Sequence, residues 1–153
     1  MHRSVEPPSD LLSRAILELI RFLNDPRQDV RMMAEAGLDI DPAFLPLLVG
    51  LGTWGPSGVV ELSGQLGRDH STISRQLARL EAAGLVARRV SDADGRVRTA
   101  EIAPQGAVAV AALSAARRRL LDRALATWPM EERETLARLL AQFTTALRAA
   151  GPG

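Results

Sequence analysis

The chain has 153 residues, 46% hydrophobic and 24% charged, with a net charge of +1, which fits one ordinary domain with enough apolar material for a real core. It has no cysteine and two histidines, His2 and His70; this excludes disulfides, thiolate metal sites, cysteine nucleophiles and thiol switches, and argues against a histidine metal site. No apolar run could span a membrane and the N-terminal residues lack a signal-like segment, so a cytoplasmic location is expected; with so small a net charge, affinity for nucleic acid would have to come from local clustering.

Residues 1–8 read as a loose tail ended by Pro7-Pro8. Ser9 is placed to cap a first helix with apolar residues at Leu11, Leu12, Ala15, Ile16, Leu19, Ile20 and Leu23. Asn24-Asp25-Pro26 interrupts it, and a second helix runs from Pro26 to Ala36 and stops at Gly37. Asp41-Pro42 opens a third, ending near Gly50, and Pro46 one turn in predicts a kinked or 3₁₀ start. Gly55-Pro56-Ser57-Gly58 reads as a loop.

Val59 to Leu66 is a short helix with Leu62 and Leu66 inward, ended by Gly67. Asp69 caps the next, which runs to about Ala83 and stops at Gly84. Val86–Val90 and Val97–Ile102 read as two strands of a hairpin turned at Asp94-Gly95. Pro104 starts a long helix to about Ala126, and Trp128-Pro129 breaks it. A last helix, Met130 to Ala149, carries Leu136, Leu139, Leu140, Phe143 and Leu147 at helical spacing. Glu131, Glu132 and Glu134 near its start and Arg148 near its end complement the helix dipole.

The helix after Asp69 carries the chemistry. At about 100° per residue, Ile73, Leu77 and Leu80 share one edge, while Ser71, Arg75, Ala78 and Ala82 point the opposite way. Thr72, Ser74 and Arg79 flank that outward face. Small residues let a helix sit deep in the DNA major groove, and an arginine there can reach guanine O6 and N7. Every basic residue of the chain except histidine is arginine, a planar fork suited to phosphate or guanine. An ordinary amphipathic helix with a solvated face fits the same pattern taken alone. The short helix before it and the hairpin after it favour a winged helix-turn-helix.

Between Glu61 and Gly106 the sequence resembles the MarR family of winged-helix transcriptional regulators. The resemblance is carried by Glu61-Leu62-Ser63 with Leu66-Gly67, by Ser71-Thr72-Ile73-Ser74-Arg75, by Arg79-Leu80-Glu81-Ala82-Ala83-Gly84-Leu85-Val86 with Arg88-Arg89, by Asp92-Ala93-Asp94-Gly95-Arg96, and by Pro104-Gln105-Gly106. More loosely it extends from about Ser9 to Arg148. It implies a mainly α (α+β) fold over residues 1–153: a winged helix-turn-helix lobe at 41–103, with N- and C-terminal dimerisation helices at 9–36 and 104–149. It further implies a homodimer on a pseudo-palindromic double-stranded DNA operator, often a repressor relieved by a small organic effector. Arg96 would enter the minor groove, oriented by Asp94. Ala103 and Pro129 stand where the family usually has a capping Ser or Thr, and Asn24-Asp25-Pro26 splits a region often built as one helix.

The residues expected at DNA are therefore His70, Ser71, Thr72, Ser74, Arg75, Arg79, Asp94, Arg96 and Arg98. Arg88 and Arg89 could reach phosphate, although an acidic neighbour is the commoner partner. Arg117-Arg118-Arg119 span about 200° of a helix and cannot all face one ligand. Trp54 and Trp128 read as core or dimer contacts and Met32-Met33 as core filling. No catalytic constellation, phosphate-binding glycine loop or metal spacing is present, so neither an enzyme nor a cofactor is expected. The competing function is a winged-helix interaction protein without specific DNA binding.

Overall fold

The computed structural model describes residues 7–90 and 98–151. The chain divides into two compact units, residues 1–116 and 117–153, with one helix running through the boundary.

In the first unit, α1 (Pro8–Leu23) starts one residue before the expected cap. Proline lacks an N–H and has a helical φ, so Pro8 fits the first helical position, and Ser9 lies inside the helix instead of capping it. The Pro7 carbonyl accepts from the N–H groups of Asp10 and Leu11. No residue of α1 is buried; Leu11, Leu12, Leu17, Leu19, Ile20, Phe22 and Leu23 are all about half exposed or more. Asp25 caps α2 (Pro26–Ala36), accepting from Arg27 N–H at 3.0 Å, and Gly37 closes it at φ 66°. Met33 is buried and Met32 packs against the core.

The expected 3₁₀ start of the third helix is present as the turn Pro42–Phe44, capped by Asp41. It feeds α3 (Leu45–Trp54), which runs one turn beyond Gly50. Gly50 does not end it because the helix is buried there and the Trp54 ring lies over the glycine; a β-carbon on Gly50 would stand 2.6 Å from that ring. Residues 55–58, read as a loop, include β1 (Ser57–Gly58). Next come α4 (Val59–Leu66), α5 (His70–Ala82), β2 (Val86–Val90) and β3 (Arg98–Ile102). The sheet is antiparallel in the order β1-β3-β2, with Ala100 opposite both Ser57 and Arg88.

Leu47, Leu48, Leu51, Leu62, Ile73, Leu77, Leu80 and Leu113 form the heart of the core, joined by Met33, Phe44, Val86 and Ala100. Truncating one such leucine to alanine costs about 2–5 kcal/mol, so this packing fixes α5 against α3 and α4. Leu113 belongs to α6 (Pro104–Ala124), whose first half also buries Gly106, Ala109 and Ala116. The second unit holds the end of α6 and α7 (Met130–Ala150). Helix α7 buries no residue, and Leu139, Leu140 and Leu147 are about half exposed. Among the described residues no helix is long and apolar enough to cross a membrane.

Candidate nucleic-acid interface

Helix α5 is held on one side and open on the other. Ile73, Leu77 and Leu80 are 0%, 1% and 0% exposed. Ser71, Arg75, Ala78 and Ala82 are all exposed, and Thr72 and Ser74 are half-buried at the margins. The helix follows α4 through a tight turn in which Gly67 takes φ 61°, a left-handed conformation that glycine adopts without steric cost. Glu61 accepts from the Gly58 N–H at 3.4 Å, which steadies the start of α4. This is a helix-turn-helix with the second helix presenting small residues and one arginine.

The start of α5 is a polar hub centred on Asp69. Its carboxylate accepts from the Ser71 hydroxyl at 2.5 Å, the Thr72 hydroxyl at 2.7 Å and the Thr72 N–H at 2.8 Å. These bonds, led by the two hydroxyls, hold the Asp69 carboxyl well below the usual carboxylate range. The hub also fixes the polarity of the helix surface. Ser71 and Thr72 each point the hydroxyl hydrogen at Asp69 as a hydrogen-bond donor, so what their oxygens offer other groups is lone pairs. Arg75 extends back over Thr72, its Nη2 3.5 Å from the hydroxyl oxygen, and otherwise projects from the exposed face.

Most nearby arginines are committed within the lobe. Arg88 Nε lies 3.2 Å from Glu81, an ion pair not aligned as a hydrogen bond, and its Nη2 donates to the Ser74 carbonyl at 3.4 Å. Arg89 pairs with Glu101 across the sheet. Arg79 pairs with Asp41 at 3.3 Å and stacks over the Phe44 ring, 4.9 Å from its centroid. Arg98, the first residue of β3, is exposed and stands opposite Val90 at the end of the hairpin nearest residues 91–97. His70 is exposed at the first position of α5. Asp94 and Arg96, together with the Asp94-Gly95 turn, lie outside the described residues.

The profile of the MarR family matches residues 45–98, the span from α3 to the start of β3. An uncharacterized HTH-type transcriptional regulator of Bacillus subtilis, YxaD, is 35% identical over 100 residues, 65% of this chain and 70% of that protein. The chain belongs to the MarR family. Among solved structures, a MarR family protein from Bacillus stearothermophilus superposes with a TM-score of 0.77 at 21% identity, covering 94% of this chain and 99% of that one. A probable transcriptional regulator from Pseudomonas aeruginosa is 31% identical, with a TM-score of 0.60 and 84% and 96% coverage. The winged helix-turn-helix expected from the sequence is thus the observed fold. As a MarR family member the protein is a transcriptional regulator, of a class that works by binding DNA, and not an enzyme.

Of the expected site residues, the MarR-type lobe brings His70, Ser71, Thr72, Ser74 and Arg75 together on the first two turns of α5. Arg98 is separate, on the hairpin. Arg79 shares the helix but is turned toward the Pro42–Phe44 turn. Asp69 was legible as a cap but not as a clamp on two hydroxyls; the Asp-x-Ser-Thr spacing is the signal for it. Gly106 of the Pro104-Gln105-Gly106 motif has a packing role, since a β-carbon there would stand 1.9 Å from the Leu85 carbonyl oxygen. A hollow of about 460 Å³ lies between α3, β3 and α6, walled by Leu51, Gly52, Ile102, Ala107 and Val110, with Glu101 at its edge. Among the described residues no group of three or more His, Asp or Glu is placed to hold a metal ion.

Proposed function

We propose that this MarR family regulator is a cytoplasmic homodimer that reads a pseudo-palindromic double-stranded operator and represses transcription until a small organic effector releases it. The observation that carries the DNA reading is the exposed face of α5, where small side chains surround Arg75 and the core leucines hold the opposite edge. Such a helix seats in a groove about 12 Å wide, and an arginine on it pairs bidentately with guanine. Ser71, presenting acceptor lone pairs, suits the amino groups of adenine N6 or cytosine N4. Thr72 and Ser74 would flank these contacts, exposed His70 would meet a phosphate or a base and exposed Arg98 would meet the DNA from the hairpin, and Arg96 with Asp94 would complete the wing by resemblance to the family.

Homodimerisation is supported by the uncovered apolar residues of α1 and α7, which a helical interface between two copies would bury. An organic effector is favoured over a redox or metal signal by the absence of cysteine and the scarcity of histidine. The hollow beside Gly52 and Val110 falls within the size range of small-molecule sites.

The test is selection of duplexes from a random-sequence library by the full chain. Enrichment of a two-fold symmetric motif is expected, with centres of the half-sites about one helical turn apart. A winged-helix interaction protein would enrich nothing.

A further inference from the structure

Helix α5 carries a second row of polar residues, beside the face turned to solvent. Gln76 and Arg79 are three residues apart and so share one side of the helix. Both reach the turn Pro42–Phe44. The Gln76 amide donates to the Ala43 carbonyl at 3.3 Å. Its oxygen accepts from Arg68 Nη1 at 3.1 Å, which fixes the amide's orientation. Arg79 grips the two ends of the same turn, pairing with Oδ2 of Asp41 and holding its guanidinium carbon over the Phe44 ring, 4.9 Å from the centroid. Asp41 divides its oxygens: Oδ1 accepts from the Ala43 N–H at 2.9 Å as a cap, and Oδ2 faces Arg79.

We propose that Arg79, with Gln76 and Asp41, forms a clamp that sets the orientation of α5 for DNA, and that Arg79 is a positioning residue, not a phosphate contact. The inference rests on the reading of α5 as the DNA-binding helix. The apolar edge of Ile73, Leu77 and Leu80 fixes how deep α5 sits, but apolar contacts are not directional. Hydrogen bonds and a stacked guanidinium are directional, and they are made to a turn with a buried aromatic, Phe44, as its foot. Arg79 and Asp41 are 64% and 39% exposed, so their pairing adds little to stability. What it fixes is the roll of the helix about its axis, on which the aim of Arg75 depends.

The test compares the parent chain with Asp41→Asn, Arg79→Ala and the double variant. The probes are the duplex selected by the parent and a scrambled duplex of the same composition. Asp41→Asn keeps the cap oxygen on Ala43 and removes the charge. Each single variant is expected to lower the ratio of selected to scrambled affinity roughly two- to fivefold, as far as so exposed a pairing can bias the helix orientation, and the double variant no further than either single. Melting temperatures should stay near the parent's. A phosphate role for Arg79 predicts a different pattern. Arg79→Ala would then weaken both duplexes equally and lower the salt slope by about one, while Asp41→Asn would strengthen both by freeing the arginine. That pattern, or no change in the ratio in any variant, overturns the clamp and leaves the DNA reading standing. Failure of the parent to select any duplex overturns the DNA reading itself, before any variant is made, and the clamp's proposed role falls with it.

Discussion

Gly106 at the first turn of α6 backs directly onto the carbonyl of Leu85, the residue that leads into β2. A β-carbon on Gly106 would stand 1.9 Å from that oxygen, and the same carbonyl accepts from the Ala103 N–H at 3.0 Å. The glycine therefore lets α6 lie against the hairpin. Gly106→Ala must push the helix or the strand aside, at about 1–3 kcal/mol, and a lowered midpoint in urea at unchanged slope would register it. Gly64 is a contrast. It lies on an exposed part of α4 with nothing within 4 Å of a β-carbon, so Gly64→Ala should stabilise by about 0.5–1 kcal/mol.

The Asp69 carboxylate is held charged by Ser71 and Thr72. Its folded pKa is lowered, so its contribution to stability is complete above the unfolded value of about 4 and is lost as pH falls below that toward the folded value. Asp69→Ala removes the cap and should lower the melting temperature at neutral pH. The gap between parent and variant should close on acidification below about pH 4. A gap that stays constant down to acid pH would mean that the cap's charge contributes nothing.

Ser63 faces the core from α4 at 7% exposure, and its hydroxyl is buried without a hydrogen-bond partner. Alanine at this position removes an unsatisfied polar atom and improves helix propensity. Ser63→Ala is expected to raise stability by about 0.5–1.5 kcal/mol, measured by chemical denaturation. A loss of stability would show that the hydroxyl is satisfied in solution.

The uncovered residues of α1 and α7, among them Leu19, Phe22, Leu139 and Leu147, lead to the expectation of a dimer at micromolar concentration. Sedimentation velocity should give twice the chain mass of 16.5 kDa. Charged replacements such as Leu139→Glu or Leu147→Glu should shift the equilibrium toward the monomer. A folded monomer alone for the parent would contradict the dimer.

The sequence makes the helix boundaries legible wherever a stop has a local cause. Gly37, Gly67 and Gly84 each take positive φ at or just after a helix end, and Pro26, Pro42 and Pro104 each begin an element. The buried edge of α5 follows from periodicity alone. Strand β1 is not legible, because two residues cannot show an alternation and its pairing to Ala100 and Thr99 is remote in sequence. The end of α3 is misread at Gly50 for a related reason: packing keeps it helical, with no local signal to say so. A helical wheel places Arg79 beside the outward face, but it cannot reveal that Asp41 and Phe44 stand there to receive it. Partners separated by dozens of residues are set by tertiary packing, and the polar commitments of Arg79, Arg88 and Arg89 become readable only in the fold.

The central claim is that the outward face of α5 reads base edges through Arg75. The most direct measurement is the affinity of Arg75→Ala for the duplex selected by the parent and for a set of duplexes substituted at each position of one half-site. A bidentate arginine–guanine contact predicts a loss of about 1–3 kcal/mol on the selected duplex, with discrimination relaxed at one base pair per half-site and kept at the others. Melting temperature should be unchanged, because Arg75 is exposed. Binding of Arg75→Ala with the parent's affinity and the parent's preference at every position would contradict the assignment of this face to DNA.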